Sequence, residues 1–107
     1  MKRGDLVMAV LPGAYGKPRP VVIIQADTVA LPNSLTVLPL TDEIAPDETL
    51  RITVEASAEN GLPSRSQVMI DWATTVPPKR IGQQIGDLSS ADMNAVNRAL
   101  TVFFGFA

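Results

Sequence analysis

The hydrophobic positions of the chain fall in short runs that are separated by prolines, glycines and acidic loops. Six runs have the length and β-branched content of strands, covering residues 4–11, 20–26, 34–40, 50–56, 67–73 and 79–88. The run at 20–26 is almost wholly apolar, which predicts a central strand buried on both faces. Because proline donates no hydrogen bond to a sheet, we expect Pro20 only at the first position of that strand.

The C-terminal segment has a helical rather than a strand period. Ser89 and Asp92 resemble a capping box with Asp in place of Glu or Gln. The apolar residues after them fall at helical spacing: Met93, Val96, Leu100 and Phe103. The pattern predicts one amphipathic helix of about 15 residues. We therefore expect a fold that is mainly β with a C-terminal α-helix, a small bent sheet or barrel forming a single domain over residues 1–107.

Composition narrows the possible chemistry. The 107 residues include no cysteine and no histidine, which excludes disulfides, thiol nucleophiles and thiolate or imidazole metal sites. No apolar run approaches the roughly 18 residues of a membrane span, and no secretory signal opens the chain, so a cytoplasmic location is expected. The net charge of −2 argues mildly against a large nucleic-acid surface. A local phosphate site stays possible, since most of the cations are arginine.

Three stretches in order carry a family resemblance. They are "RGDLVMAVLPGAYGKPRPVVIIQAD" at 3–27, "VLPLT" at 37–41 and "GLPSRSQVMIDWATTVPPKRI" at 61–81. Together they resemble the MazF/PemK (Kid) toxins of type II toxin–antitoxin systems. The resemblance implies an SH3-like small β-barrel that forms a homodimer.

The same resemblance implies a function. Such toxins are mRNA interferases that cleave single-stranded RNA independently of the ribosome, and so inhibit translation and growth. The RNA 2′-hydroxyl attacks the adjacent phosphate and leaves a 2′,3′-cyclic phosphate, without a metal or other cofactor. A cognate antitoxin blocks the RNA groove.

Two residues match the catalytic positions that the resemblance implies. Arg19, held between two prolines, has a planar donor fork that suits phosphate oxygens. Thr41 follows the end of the third predicted strand, where a hydroxyl can reach the scissile linkage. The alternative interpretation makes Arg19 a surface arginine and Thr41 an ordinary turn residue.

The general base and acid have no obvious candidates. Members of the family commonly carry Glu or His in the loop before the Arg-Pro step, and residues 13–17 contain neither. In that loop, Tyr15 is a candidate to stack a base or donate a proton, and Lys17 a candidate phosphate contact. Both are equally compatible with plain loop residues.

Auxiliary contacts are expected from the fifth predicted strand. Arg65, Gln67 and Asp71 share one face of it if the strand is regular, so Arg65 is a candidate replacement for a cation that relatives carry there. Trp72, the sole tryptophan, points the opposite way and is expected in the core or a dimer interface.

The C-terminus suggests an alternative function. "IGQQIGDLS" and "FFGFA" are similar to the end of CcdB, a toxin of the same fold that poisons DNA gyrase. That interpretation assigns Phe104, Gly105 and Phe106 to contacts with the gyrase A subunit. A third possibility is a relative that binds RNA without cleaving it, which the loop lacking Glu and His favours.

Overall fold

The computed structural model describes residues 1–13 and 16–107, and in them seven strands precede one helix. Along the chain, the first two strands form an antiparallel hairpin that contains the Arg19-Pro20 step, and the helix comes last. The elements are β1 (Asp5–Val10), β2 (Pro18–Ile23), β3 (Leu35–Thr41), β4 (Arg51–Val54), β5 (Ser66–Met69), β6 (Thr74–Val76), β7 (Ile81–Asp87) and α1 (Ser90–Phe103). The expected class, mainly β with one C-terminal helix, is confirmed.

All strand pairings are antiparallel, and the main path through the sheet is β4-β5-β3-β2-β1-β7. One edge of β3 is shared between two partners: β6 pairs with residues 35–37, and β5 with residues 40–41. A 3₁₀ turn, Ile70–Trp72, carries the chain from β5 to β6. The sheet therefore changes direction along β3, which bends it sharply.

The central strands are buried on both faces, as their apolar runs predict. Successive residues of a strand point to opposite faces, and here they enter two separate clusters. Leu6, Val22 and Leu38 pack in the larger cluster, which Val96 of α1 joins. Their neighbours Val7, Val21 and Val37 form a smaller cluster on the other face.

Two expectations about strand ends are wrong. β2 begins at Pro18, so Pro20 is its third residue rather than its first. This costs no ladder bond to β3, because the β2–β3 pairing begins only at Val21. The strand expected over 67–73 stops at Met69, and its last part is the 3₁₀ turn. β6, which follows that turn, was not expected.

The helix has both of its ends capped. The Ser89 hydroxyl accepts a hydrogen bond from the Asp92 N–H at 3.1 Å, as the capping-box pattern predicts. At the other end, the Gly105 N–H donates to the Val102 carbonyl and the Phe106 N–H to the Thr101 carbonyl. With Gly105 at a φ of 78°, this is a Schellman motif. The aromatic-glycine-aromatic sequence thus has a structural role as a helix stop.

None of the helices in the described part of the chain is long and apolar enough to span a bilayer.

Candidate functional site

An open cavity of about 200 Å³ lies at the end of β2 and β3. Its walls come from the Arg-Pro step, the end of β3 and the loop before β5: Pro18, Arg19, Pro20, Leu40, Thr41, Asp42, Pro63, Ser64 and Ser66. The last pair between the two strands is Val21 with Pro39, and continuing that register by two residues sets Arg19 opposite Thr41. The structure therefore brings together the two residues expected to be catalytic. We call this space the Arg19–Thr41 cavity.

Arg19 is half-buried and takes no part in an ion pair within residues 1–13 and 16–107. The two ion pairs of that part of the chain join Arg51 to Asp71 and Arg65 to Glu55. A guanidinium that no carboxylate neutralises keeps its donor fork available for an anion.

The Thr41 hydroxyl is oriented by the backbone of the following turn. Its oxygen accepts a hydrogen bond from the Glu43 N–H at 3.1 Å. A hydroxyl has one donor and two acceptor sites, so the O–H proton can still be donated to a ligand in the cavity. Thr41 is thus both a turn residue and a potential donor, and the two interpretations are compatible.

Gln67, expected among the RNA contacts, is fully buried beneath the acidic loop at residues 42–50. Its amide oxygen accepts from the Ala45 N–H at 2.9 Å, and its amide nitrogen donates to the Ala45 carbonyl at 3.0 Å and the Thr53 hydroxyl at 3.1 Å. Because it also pairs with Thr41 in the β3–β5 ladder, Gln67 anchors the loop that leaves the cavity. Its burial leaves no surface for direct contact with RNA.

The "NGLPS" turn builds the opposite wall. Buried Asn60 accepts through its side-chain oxygen from the Ser57 and Leu62 N–H groups, at 3.0 and 2.9 Å. Gly61 has a φ of 66° and lies so close to the Ile85 carbonyl that a Cβ would collide with it. These contacts fix the turn from which Pro63, Ser64 and Ser66 reach the cavity.

Arg65 lies on the same face as Gln67, as expected, because Gln67 bonds to Thr53 and Arg65 to Glu55, two residues further along, and all four line one cavity. Arg65 is exposed, and its hydrogen bond to Glu55 and the attraction of that carboxylate raise its pKa above the usual range. Asp71 lies in the 3₁₀ turn, where its carboxylate pairs with Arg51. Neither lines the Arg19–Thr41 cavity. The expected common face thus holds for Arg65 and Gln67, whereas Asp71 lies in the turn beyond the end of β5 at Met69.

The loop before Arg19 holds the two remaining candidates, Tyr15 and Lys17. Lys17 is exposed and directly precedes Pro18, which lines the cavity. Tyr15 lies outside the described residues.

Sequence reasoning missed one residue of this region, Asp42, and did not connect another, Trp72, with the site. Asp42 lines the Arg19–Thr41 cavity. Trp72, expected in the core or a dimer interface, is 58% exposed in the single chain, which rules out the core, and it lines a second cavity that also contains Arg19. An Asp directly after the matched threonine could have been recognised from sequence, whereas the position of Trp72 depends on the 3₁₀ turn.

Comparisons of the sequence and of the structure with known proteins all match toxins of one family. Residues 2–104 match the family of PemK-like, MazF-like toxins of type II toxin–antitoxin systems. The chain is 44% identical to a probable endoribonuclease MazF of Mycolicibacterium smegmatis, over 100% of this chain and 99% of that protein. It is similar in structure to Mycobacterium tuberculosis toxin MazF-mt6, with a TM-score of 0.79, 31% identity, and coverage of 94% of this chain and 96% of the other.

A second solved structure is an endoribonuclease in complex with its cognate antitoxin from a mycobacterial species. That comparison gives a TM-score of 0.78 at 20% identity, over 100% of this chain and 97% of the other. The similarity therefore covers the sheet and the C-terminal helix alike, and it places the bent sheet among barrel-like toxin folds.

Proposed function

We propose that the Arg19–Thr41 cavity is the RNA-cleaving site of this chain, which belongs to the PemK-like, MazF-like toxin family of type II toxin–antitoxin systems. The chain is an endoribonuclease toxin, as its 44% identity to a probable endoribonuclease MazF along its whole length supports. The observation that carries the proposal is the convergence of Arg19 and Thr41 on one cavity wall. No comparison supports the gyrase alternative.

In the proposed reaction, the 2′-oxygen of one nucleotide attacks the adjacent phosphorus and the bond to the 5′-oxygen breaks. Negative charge grows on the non-bridging oxygens, where the Arg19 donor fork and the Thr41 hydroxyl stabilise it. Asp42 takes the proton from the 2′-hydroxyl. The leaving 5′-oxygen takes a proton from a water molecule at the open cavity, and the hydroxide that remains takes the proton from Asp42, which restores the carboxylate. The products are a 2′,3′-cyclic phosphate and a 5′-hydroxyl.

The other expected site residues have supporting roles in this proposal. Lys17 attracts the RNA backbone at the rim, and Gln67 positions the loop after Thr41. Arg65 and Asp71 contribute to the folded structure through their ion pairs. Tyr15 stays a candidate for base stacking.

We further propose that residues 1–107 act as one domain, as a homodimer in the cytoplasm, with single-stranded RNA as substrate and a cognate antitoxin as inhibitor. Support comes from family membership and from the solved toxin–antitoxin complex that this fold resembles. A sedimentation profile that stays monomeric at micromolar concentrations would disprove the dimer.

The activity itself is tested by incubating purified protein with mixed single-stranded RNA in EDTA and mapping the ends. We expect internal cuts with cyclic-phosphate ends. Binding of the RNA without any cut would instead support a non-catalytic relative. Co-purification of the gyrase A subunit, lost on deleting residues 105–107, would support the gyrase poison.

A further inference from the structure

Trp72 is held in a fixed, outward position. The preceding residues of its 3₁₀ turn are anchored on two sides: Ile70 is fully buried and donates its N–H to the Leu50 carbonyl at 3.0 Å, and Asp71 pairs with Arg51. The tryptophan itself is 58% exposed. A large aromatic ring presented to solvent from an anchored turn is a preformed surface for stacking.

The space beside the ring has the character of an aromatic-binding site. It measures about 200 Å³ and is lined by Leu11, Pro12, Gly13, Arg19, Pro39, Trp72 and Thr74. The prolines give rigid apolar walls, and Pro39 is buried in β3. Thr74 and Arg19 add polar groups at the edge. This mix of flat apolar surface with a few polar groups suits a planar ring that carries hydrogen-bonding atoms.

Arg19 lines this second space as well as the Arg19–Thr41 cavity. The two spaces therefore adjoin across a single side chain. In RNA, a phosphate and a neighbouring base are joined by one ribose, so a phosphate bound on one side of Arg19 places a base within reach of the other side. The spacing along β3 supports this arrangement, because Pro39 of the second space lies only two residues before Thr41 of the Arg19–Thr41 cavity.

From this we propose that the Trp72 cavity is a nucleobase subsite, which stacks the base of a nucleotide next to the scissile phosphate. The inference rests on the proposed function, because it takes single-stranded RNA as the ligand. Stacking on an aromatic ring accepts any base, so this subsite contributes mainly affinity and position. Selectivity between bases arises only through the polar groups at its edge.

The single tryptophan makes the subsite directly observable. Trp72 fluorescence is followed while a single-stranded 2′-O-methyl oligonucleotide, which cannot be cleaved, is added to the full-length protein. We expect saturable quenching, because the base stacks on the indole. An oligonucleotide with an abasic nucleotide beside the mapped cleavage site should bind without that quenching.

Kinetics of RNA cleavage give the second readout. Trp72→Ala should raise KM by about tenfold to a hundredfold, the loss typical of one stacked base, with a smaller change in kcat. Trp72→Phe keeps a ring and should retain most of the affinity. Phe106→Ala removes another exposed aromatic side chain, 82% exposed and outside both cavities, and should leave KM unchanged.

The outcomes separate the subsite from the cleavage proposal. Normal cleavage, with no quenching and an unchanged KM in Trp72→Ala, would overturn the subsite alone. Quenching by the 2′-O-methyl oligonucleotide without cleavage of RNA by the wild type would overturn the proposed reaction and support the subsite. Emission that shifts with protein concentration and does not respond to RNA would place Trp72 against a second copy of the chain, and would overturn the subsite.

Discussion

Arg19 and Thr41 lie opposite each other at the open ends of β2 and β3, two residues beyond the last backbone pair, Val21 with Pro39. Each residue comes from a different strand, and the β2–β3 register alone sets their relative position. Pro18 and Pro20 restrict the backbone on both sides of Arg19, so less conformational freedom is lost when an anion binds. A phosphate site is thereby built from the rim of the sheet.

Thr41→Val removes the hydroxyl and keeps the side-chain shape. We expect kcat to fall about tenfold to a hundredfold, the effect of one lost hydrogen bond to a charged group. Thr41→Ser retains the hydroxyl and should retain most of the activity. Single-turnover cleavage of RNA measures both rates. Equal activity in the Val and Ser variants would mean that Thr41 acts only in the turn.

Asp42→Asn tests the proposed base. The amide cannot take up the 2′-hydroxyl proton, so we expect the cleavage rate to fall by about a hundredfold or more. Asp47→Asn is the matched control in the same loop, where the Thr49 N–H donates to Asp47 at 2.9 Å and lowers the pKa of that carboxyl. That variant should cleave normally. If both variants cleave like the wild type, the base lies elsewhere.

Gln67→Leu distinguishes an anchoring role from an RNA contact. Loss of the buried amide leaves the Ala45 backbone groups without partners, so we expect the free energy of unfolding to fall by about 2 kcal/mol. We also expect kcat to fall more than KM rises. Gln83→Leu, on an exposed position of β7, is the control and should change neither. Thermal denaturation and cleavage kinetics provide the two readouts; a raised KM at unchanged stability would favour direct contact.

Gly105→Ala tests the structural role of the C-terminal sequence. A side chain at a φ of 78° is strained, so we expect the variant to lose about 1 kcal/mol of stability and some helix content by circular dichroism. RNA cleavage should be unchanged, because Gly105 lies outside both cavities. Normal stability would show that the Schellman motif contributes little.

Much of the fold could be predicted from local sequence signals. Ser89 begins the helix because its side chain caps it. Residues 21–23 of the apolar run are buried on both faces because Val22 packs in one cluster and Val21 and Ile23 in the other. The position of Pro20 within β2 could not be predicted, because a proline is tolerated there only where β2 is not yet paired with β3, and that pairing begins at Val21. The pattern of the run says nothing about that boundary.

Part of the candidate site could also be predicted from the sequence. Arg19 and Thr41 follow from the resemblance of their motifs, and the structure places them on one cavity. Gln67 lies in a regular part of β5, but alternation alone cannot reveal that the loop at residues 42–50 buries its side chain. The core position expected for Trp72 is wrong because the 3₁₀ turn interrupts the alternation from which its direction was inferred.

The most direct test of the Arg19–Thr41 cavity is the single-turnover cleavage rate of Arg19→Ala on one mapped RNA site, compared with Arg98→Ala. Arg98 is an exposed arginine of α1 outside both cavities, so its removal changes the net charge equally. We predict a loss of at least about a hundredfold for Arg19→Ala, as for other donors that stabilise a charged transition state, and a wild-type rate for Arg98→Ala. Equal rates for the two folded variants would contradict the assignment of this cavity as the cleavage site.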